Sequence, residues 1–99
     1  MILTTTNTID DFKIGAYQGI VTSTVVKEQK MTMTFDMEKY YNGISERIAE
    51  VKEKALALLE KKAENLGADA IVGVKIETEL NASYVTVSAV GTAVSLLKR

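Results

Sequence analysis

Between Tyr40 and Leu66, apolar residues recur at three- and four-residue steps: Ile44, Ile48, Val51, Ala55, Leu58, Leu59, Ala63 and Leu66. This spacing places them on one stripe of an α-helix. Ala, Leu, Glu and Lys dominate the segment, and all are strong helix formers. Glu50 and Lys54 form an i,i+4 pair on the wet face. Asp36 reads as the N-cap, and Glu38 lies in the first turn toward the positive end of the helix dipole. Gly43 is the weak point, where the helix starts or kinks. Gly67 stops it, because glycine enters the left-handed conformation without a Cβ penalty. This single helix must bury everything the rest of the chain cannot bury on its own.

The remaining patterns are strands. Residues 12–26 are rich in β-branched side chains, after the turn signal of Asp10 and Asp11. Ile14, Ala16 and Ile20 fall on one face by strict alternation, and Val21 and Val25 on the other. Gly15 and Gly19 are placed to host a bulge. Residues 31–35 alternate with period two, with Met31, Met33 and Phe35 on one side. Residues 70–80 place Val72, Val74, Ile76 and Leu80 on one face and Lys75, Glu77 and Glu79 on the other. Asn81, Ala82 and Ser83 form a short hairpin loop. Residues 84–95 return with Val85, Val87, Ala89, Gly91 and Ala93 on one face. Their other face carries Tyr84, Thr86, Ser88, Val90, Thr92 and Val94, which is small, β-branched and uncharged.

The order strand, helix, strand, strand constrains the topology. A crossover through a helix makes its two strands parallel, and a tight hairpin makes the last two antiparallel. Both rules hold if the last strand lies between the other two. The expected fold is α+β: a three-stranded, mainly antiparallel sheet in the order 1-3-2. One long helix covers one face, and a short N-terminal strand is added. The second face has no helix to cover it. Other subunits are therefore expected to cover part of it.

The 99 residues form one domain, without linker or internal repeat. The chain contains no Cys, His, Trp or Pro. The missing Cys and His exclude disulfides, Cys/His zinc sites, thiolate nucleophiles and imidazole bases. A net charge of −1 gives no electrostatic footprint for nucleic acid. No apolar run reaches the length of a membrane span, and the N-terminus lacks a signal-peptide pattern. The chain therefore reads as cytoplasmic, with no membrane or nucleic-acid partner. A domain this small, without disulfide or metal, commonly gains stability by oligomerising.

Three segments together resemble a known family. They are Leu66-Gly67-Ala68-Asp69-Ala70-Ile71-Val72-Gly73-Val74, the closing Val87-Ser88-Ala89-Val90-Gly91-Thr92-Ala93-Val94, and the opening Thr4-Thr5-Thr6 followed by Gly19-Ile20-Val21-Thr22. They are similar to the YbjQ-like proteins, small prokaryotic proteins of largely unknown function that often carry a heavy-metal-binding label. The resemblance spans nearly the whole chain. It implies a dodecin-like strand–helix–strand–strand subunit and a ring-shaped homopentamer, with short extra strands helping subunits join. Family members usually carry a stretch containing Gly, Arg and Tyr before the long helix. Here Asn42 to Lys52 runs through without it, so no function that rests on that loop is carried over.

Few residues offer chemistry. Met31, Met33 and Met37 are the clustered soft donors, and three thioethers suit Cu(I). Methionine also fills irregular apolar gaps, and that is the reading preferred here. Glu77 and Glu79 share a strand face beside Lys75 and read as a solvated edge. Asp69 is the best single acid–base candidate; its simpler role is a local hydrogen bond to freed backbone N–H groups. Tyr40 and Tyr41 read as packing. The run from Gly67 to Gly73 follows a helix, so the dipole has the wrong sign for phosphate. No catalytic residue, metal ligand or cofactor is assigned. Thr5, Thr6, Asp69, Thr86, Ser88 and Thr92 are the candidates for contact with a small ligand or another subunit. The expected function is a non-enzymatic, self-associating ring protein that binds a small ligand or acts as a scaffold; the alternatives are a heavy-metal-binding or metal-stress protein, as the family label suggests, and an enzyme with a site at a subunit interface.

Overall fold

The computed structural model describes residues 1–28 and 37–99, with backbone alone for residues 37–40. The elements are β1 (Ile2–Leu3), β2 (Phe12–Glu28), α1 (Met37–Asn65), β3 (Ala70–Leu80) and β4 (Tyr84–Lys98). The expected strand at 31–35, with Met31 and Met33, and the N-cap Asp36 lie outside the described residues.

The strands form one sheet in the order β1-β3-β4-β2. The last strand sits between the two that flank the helix, as the crossover and hairpin rules require. It is antiparallel to both. The expected three-stranded sheet is corrected to four strands. The short N-terminal strand joins the edge of β3 in parallel, with Ile2 opposite Ala70 and Leu3 opposite Ile71. That makes the sheet mixed.

α1 runs straight through Gly43 and ends as its sequence predicts. Gly67 takes a φ of 75°. The Gly67 N–H donates to the Glu64 carbonyl at 2.9 Å, and the Ala68 N–H donates to the Ala63 carbonyl at 3.1 Å. These two bonds are a Schellman motif. The helix buries Val51, Ala55, Leu59 and Ala63. Leu58 and Leu66, expected on the same stripe, are exposed. They flank the contact line because the sheet beneath reaches only the centre of the stripe.

That line lies over β2 and β4. Val21, Ala89 and Ala93 meet Leu59 and Ala63, while Val85 and Val87 meet Val51 and Ala55. The small residues Ala55 and Ala63 bring helix and sheet close. The buried Ser23 hydroxyl on β2 donates to the Ala55 carbonyl at 2.7 Å, which meets the requirement that a buried polar group find a partner. Lys27 on β2 pairs with Glu50 at 2.7 Å, and Glu50 also takes the expected Lys54 at 3.2 Å.

Three bulges set which side chains face which way. In β2 the register shifts at Ile14/Ala16 and Tyr17/Gly19, where Gly15 and Gly19 were placed to host it. Gly19 has a φ of 126°. Residues opposite one another on paired strands share a face. Ile14 and Ile20 therefore lie on the face away from the helix, opposite Leu96 and Thr92, while Ala16 turns to the other. In β3 the shift falls between Val72 and Lys75, at Gly73 with a φ of 61°. This corrects the simple alternation: Val72 faces away from the helix with Ala70, and Val74 joins Ile71 beneath it. Bulges of this kind bend the strand and add twist, curling the sheet.

Gly91 on β4 lies under that bulge. A Cβ there would stand 2.5 Å from Ile71 Cγ2 and 3.2 Å from Val74 Cγ2. Gly91→Ala is expected to cost about 1–3 kcal/mol of stability by overpacking, read as a lower urea midpoint at unchanged slope. A second prediction concerns Glu50. Hydrogen bonds and charge attraction from Lys27, then Lys54, hold its carboxyl below the usual value. A depressed folded-state value stabilises the fold above the unfolded carboxylate range, and this contribution fades as pH falls through the folded value. Wild type should therefore melt above Glu50→Gln at neutral pH, with the gap closing in acid, as followed by circular dichroism.

Candidate functional site

The face of the sheet away from α1 divides into two regions. At the β1 end, Ala70, Val72 and Val94 are buried, with Ile9, Ile14 and Leu96 packed on them. Ile9 comes from the segment between β1 and β2. The chain thus covers part of its second face itself, which the element count had left to other subunits. No periodicity marks Ile9, since it sits alone between Thr8 and Asp10.

The other end is open. Its cross-strand rows are Thr22–Val90–Lys75, Thr24–Ser88–Glu77 and Val26–Thr86–Glu79. The Thr24 and Ser88 hydroxyls are 3.2 Å apart. A shallow trough of about 320 Å³ lies over these rows, walled by Thr22, Thr24, Lys75, Glu77, Ser88 and Val90. Val90, on β4, is 37% exposed; Ile20 and Val26, on the same face of β2, are 76% and 61% exposed. The sequence candidates Thr86, Ser88 and Thr92 share this face. Thr22 and Thr24 belong with them and were missed, although their two-residue spacing on β2 was the available signal.

Thr5 and Thr6 lie elsewhere. Thr5 lines a small apolar groove with Leu3, Leu56, Val74 and Ile76. Thr6 fastens the β3 bulge, its carbonyl accepting the Gly73 N–H at 2.8 Å while Thr4 accepts the Val74 N–H at 3.0 Å. The Thr6 hydroxyl donates to the Thr8 carbonyl at 2.7 Å and lies 2.8 Å from the Thr4 hydroxyl. These threonines hold backbone in place.

Asp69 also has a structural post, though a different one from the turn bond expected. Its Oδ2 accepts the N–H of Leu96, a residue of β4, at 2.9 Å. Its own N–H donates to the Val94 carbonyl at 2.9 Å. Asp69 thus continues the β3–β4 ladder one step past its last strand pair. Glu77 and Glu79 are exposed on the open face. Tyr41 is exposed on α1, and the side chain of Tyr40 lies outside the described residues.

A model of the family described as "Putative heavy-metal-binding" matches residues 1–97. The chain belongs to this YbjQ-like family. It is similar to a UPF0145 protein of Synechococcus sp. strain JA-3-3Ab, 37% identical across 97% of this chain and 99% of that one. A UPF0145 protein of Picosynechococcus sp. is 38% identical over the same shares. Among solved structures, it resembles a protein of unknown function from Pediococcus pentosaceus assigned to the DUF74 family. That likeness has a TM-score of 0.69 at 24% identity and covers 98% of both chains. It establishes a shared fold.

The family's metal label can be tested on the donor set. The chain has no Cys and no His. Among the described residues no three carboxylates gather in a metal-binding group. Met31 and Met33, and the side chain of Met37, lie outside the described residues. The described part of this YbjQ-like chain does not fit a heavy-metal centre, since soft ions require thiolate, thioether or imidazole donors. Among the described residues, no helix is long and apolar enough to cross a membrane.

Asp69→Ala is expected to lower stability by about 1 kcal/mol by leaving the Leu96 N–H without its acceptor. Asp69→Asn, which keeps an acceptor oxygen, should lose less. Amide exchange at Leu96 would register the difference, and equal protection in both variants would show the bond to be idle.

Proposed function

We propose that this YbjQ-like chain is a non-enzymatic subunit of a homo-oligomer, a dodecin-like protomer in a pentameric ring. The open face would bind a small ligand or serve as a scaffold surface. The observation that carries this reading is excess surface. A folded monomer of 10.8 kDa exposes about 5,500 Å². This chain exposes 6792 Å². The surplus, about 1,300 Å², exceeds the roughly 800 Å² that each partner hides in a standard interface. The radius of gyration supports the same reading: 16.7 Å, against about 13 Å for a compact chain of this length.

The trough on the open face supports the ligand half of the proposal. It offers hydroxyls from Thr22, Thr24 and Ser88 beside the apolar Val90, with the opposite charges of Lys75 and Glu77 at one side. That composition suits a small, partly polar molecule better than a highly charged one. Heavy-metal binding, the function in the family's label, is the alternative; nothing in the described donor set favours it.

Native mass spectrometry tests both readings. The proposal expects a multiple of the chain mass at micromolar concentration, with no stoichiometric gain on adding Cu(I) or Zn(II). A single-chain mass would remove the assembly reading. Stoichiometric Cu(I) uptake lost in Met31→Leu with Met33→Leu would replace the ligand reading with the metal one.

A further inference from the structure

The trough on the open face has two sides of different chemistry. β4 lies between β2 and β3, so Ser88 and Val90 form the floor and the flanking strands form the sides. The β2 side presents the hydroxyls of Thr22 and Thr24, and the β3 side presents Lys75 and Glu77. Neighbouring strands lie about 4.8 Å apart, which sets the two sides about 10 Å apart. A volume of about 320 Å³ is at the small end of ligand sites. An occupant must therefore be small, and must answer hydroxyls on one side and charges on the other.

The charges narrow the class of that occupant. Lys75 lies in the row of Val90, and Glu77 lies in the next row with Ser88, on the same face. Two residues along a strand advance about 6.6 Å. Among the described residues neither side chain enters an ion pair, with the other or with any third group. Their charges sum to zero, so the pair selects neither an anion nor a cation. A group carrying both signs fits between them, its carboxylate facing the Lys75 ammonium and its ammonium facing the Glu77 carboxylate. An α-amino acid holds these two groups on one carbon, and its insertion would complete a row of alternating sign. A molecule with one charge would leave the other side chain unmatched. The remaining substituent would then reach across the floor toward Thr22 and Thr24, whose hydroxyls both donate and accept. A short polar side chain answers them better than a branched apolar one. Glu79 lies one row further, opposite Thr86, and does not line the trough.

We infer that the open-face trough binds a small zwitterion of the α-amino-acid class, with its carboxylate at Lys75, its ammonium at Glu77 and a polar side chain toward Thr22 and Thr24. This rests on the ligand reading proposed above and names the class of ligand. Ligand-observed NMR titration of the full-length chain tests it, with L-glutamine as the probe and circular dichroism to check folding. Lys75, Glu77 and Glu79 are exposed, so their variants should fold. L-Glutamine should bind saturably, and more tightly than L-leucine. N-acetyl-L-glutamine lacks the ammonium and L-glutamine amide lacks the carboxylate; each should bind about fivefold more weakly. Lys75→Gln and Glu77→Gln should weaken L-glutamine by a similar factor, while Glu79→Gln should leave it unchanged. Equal binding of L-glutamine and its two singly charged analogues would overturn the zwitterion, as would a loss in Glu79→Gln as large as that in Glu77→Gln. If L-glutamine does not bind but glycerol, an uncharged polyol, binds and is lost in Thr24→Val, the class is overturned while the trough stands as a ligand site. If neither probe binds, the class and the ligand reading both fall.

Discussion

One helix stripe must find its burial on a sheet wider than the stripe, and most of the architecture follows from that mismatch. α1 lies over β2 and β4, where Val51, Ala55, Leu59 and Ala63 meet Val21, Val85, Val87 and Ala89. Small residues at the contact let the two layers approach, and the Ser23 hydroxyl answers the one helix carbonyl it meets. Burial of this kind yields roughly 25 cal/mol for each Å² of apolar surface removed from water. Once the helix is placed, the upper half of β3 lies beyond its reach. Ile76 and Leu80 remain exposed there, and the second face of the sheet must be covered by other means.

The bulges decide how much of that second face the chain covers alone. Gly73 shifts β3 by one residue, which sends Val72 to the far side with Ala70 and Val94. Ile9 then closes over them. The N-terminal threonines keep the bulge in place through backbone bonds to Gly73 and Val74. The result is a sheet whose second face is sealed at one end and open at the other. The hydroxyls of Thr22, Thr24 and Ser88 gather only at the open end. The threonine-rich N-terminus, similar in composition, serves as a structural clasp. Residue type alone did not distinguish these two roles.

The heavy-metal label of the family and the side chains of this chain pull apart. Ligation of soft ions is a property of donor atoms, and a chain without Cys or His keeps only thioethers for the task. Physical properties of the open surface give a more direct lead. The exposed apolar residues on β2, the uncharged edge they flank and the surplus area are all features that association would relieve.

Much of this fold was legible in the sequence because its signals are local. The helix period, the glycine stop at Gly67, the hairpin at Asn81–Ser83 and the two-residue alternation of β4 each depend on neighbours a few positions away. The strand order followed from two connection rules. The family resemblance also stood in short motifs. What the sequence left undecided depends on contacts distant along the chain. The phase of β3 shifts at Gly73, and Gly91 on β4 leaves room there for Ile71 and Val74. Asp69 serves an N–H on a strand 27 residues away, and Ile9 acquires its place only when β2, β3 and β4 have met. Local spacing determined which elements form. The tertiary structure decided which face and which edge stay open, because only packing reveals how far one helix can reach.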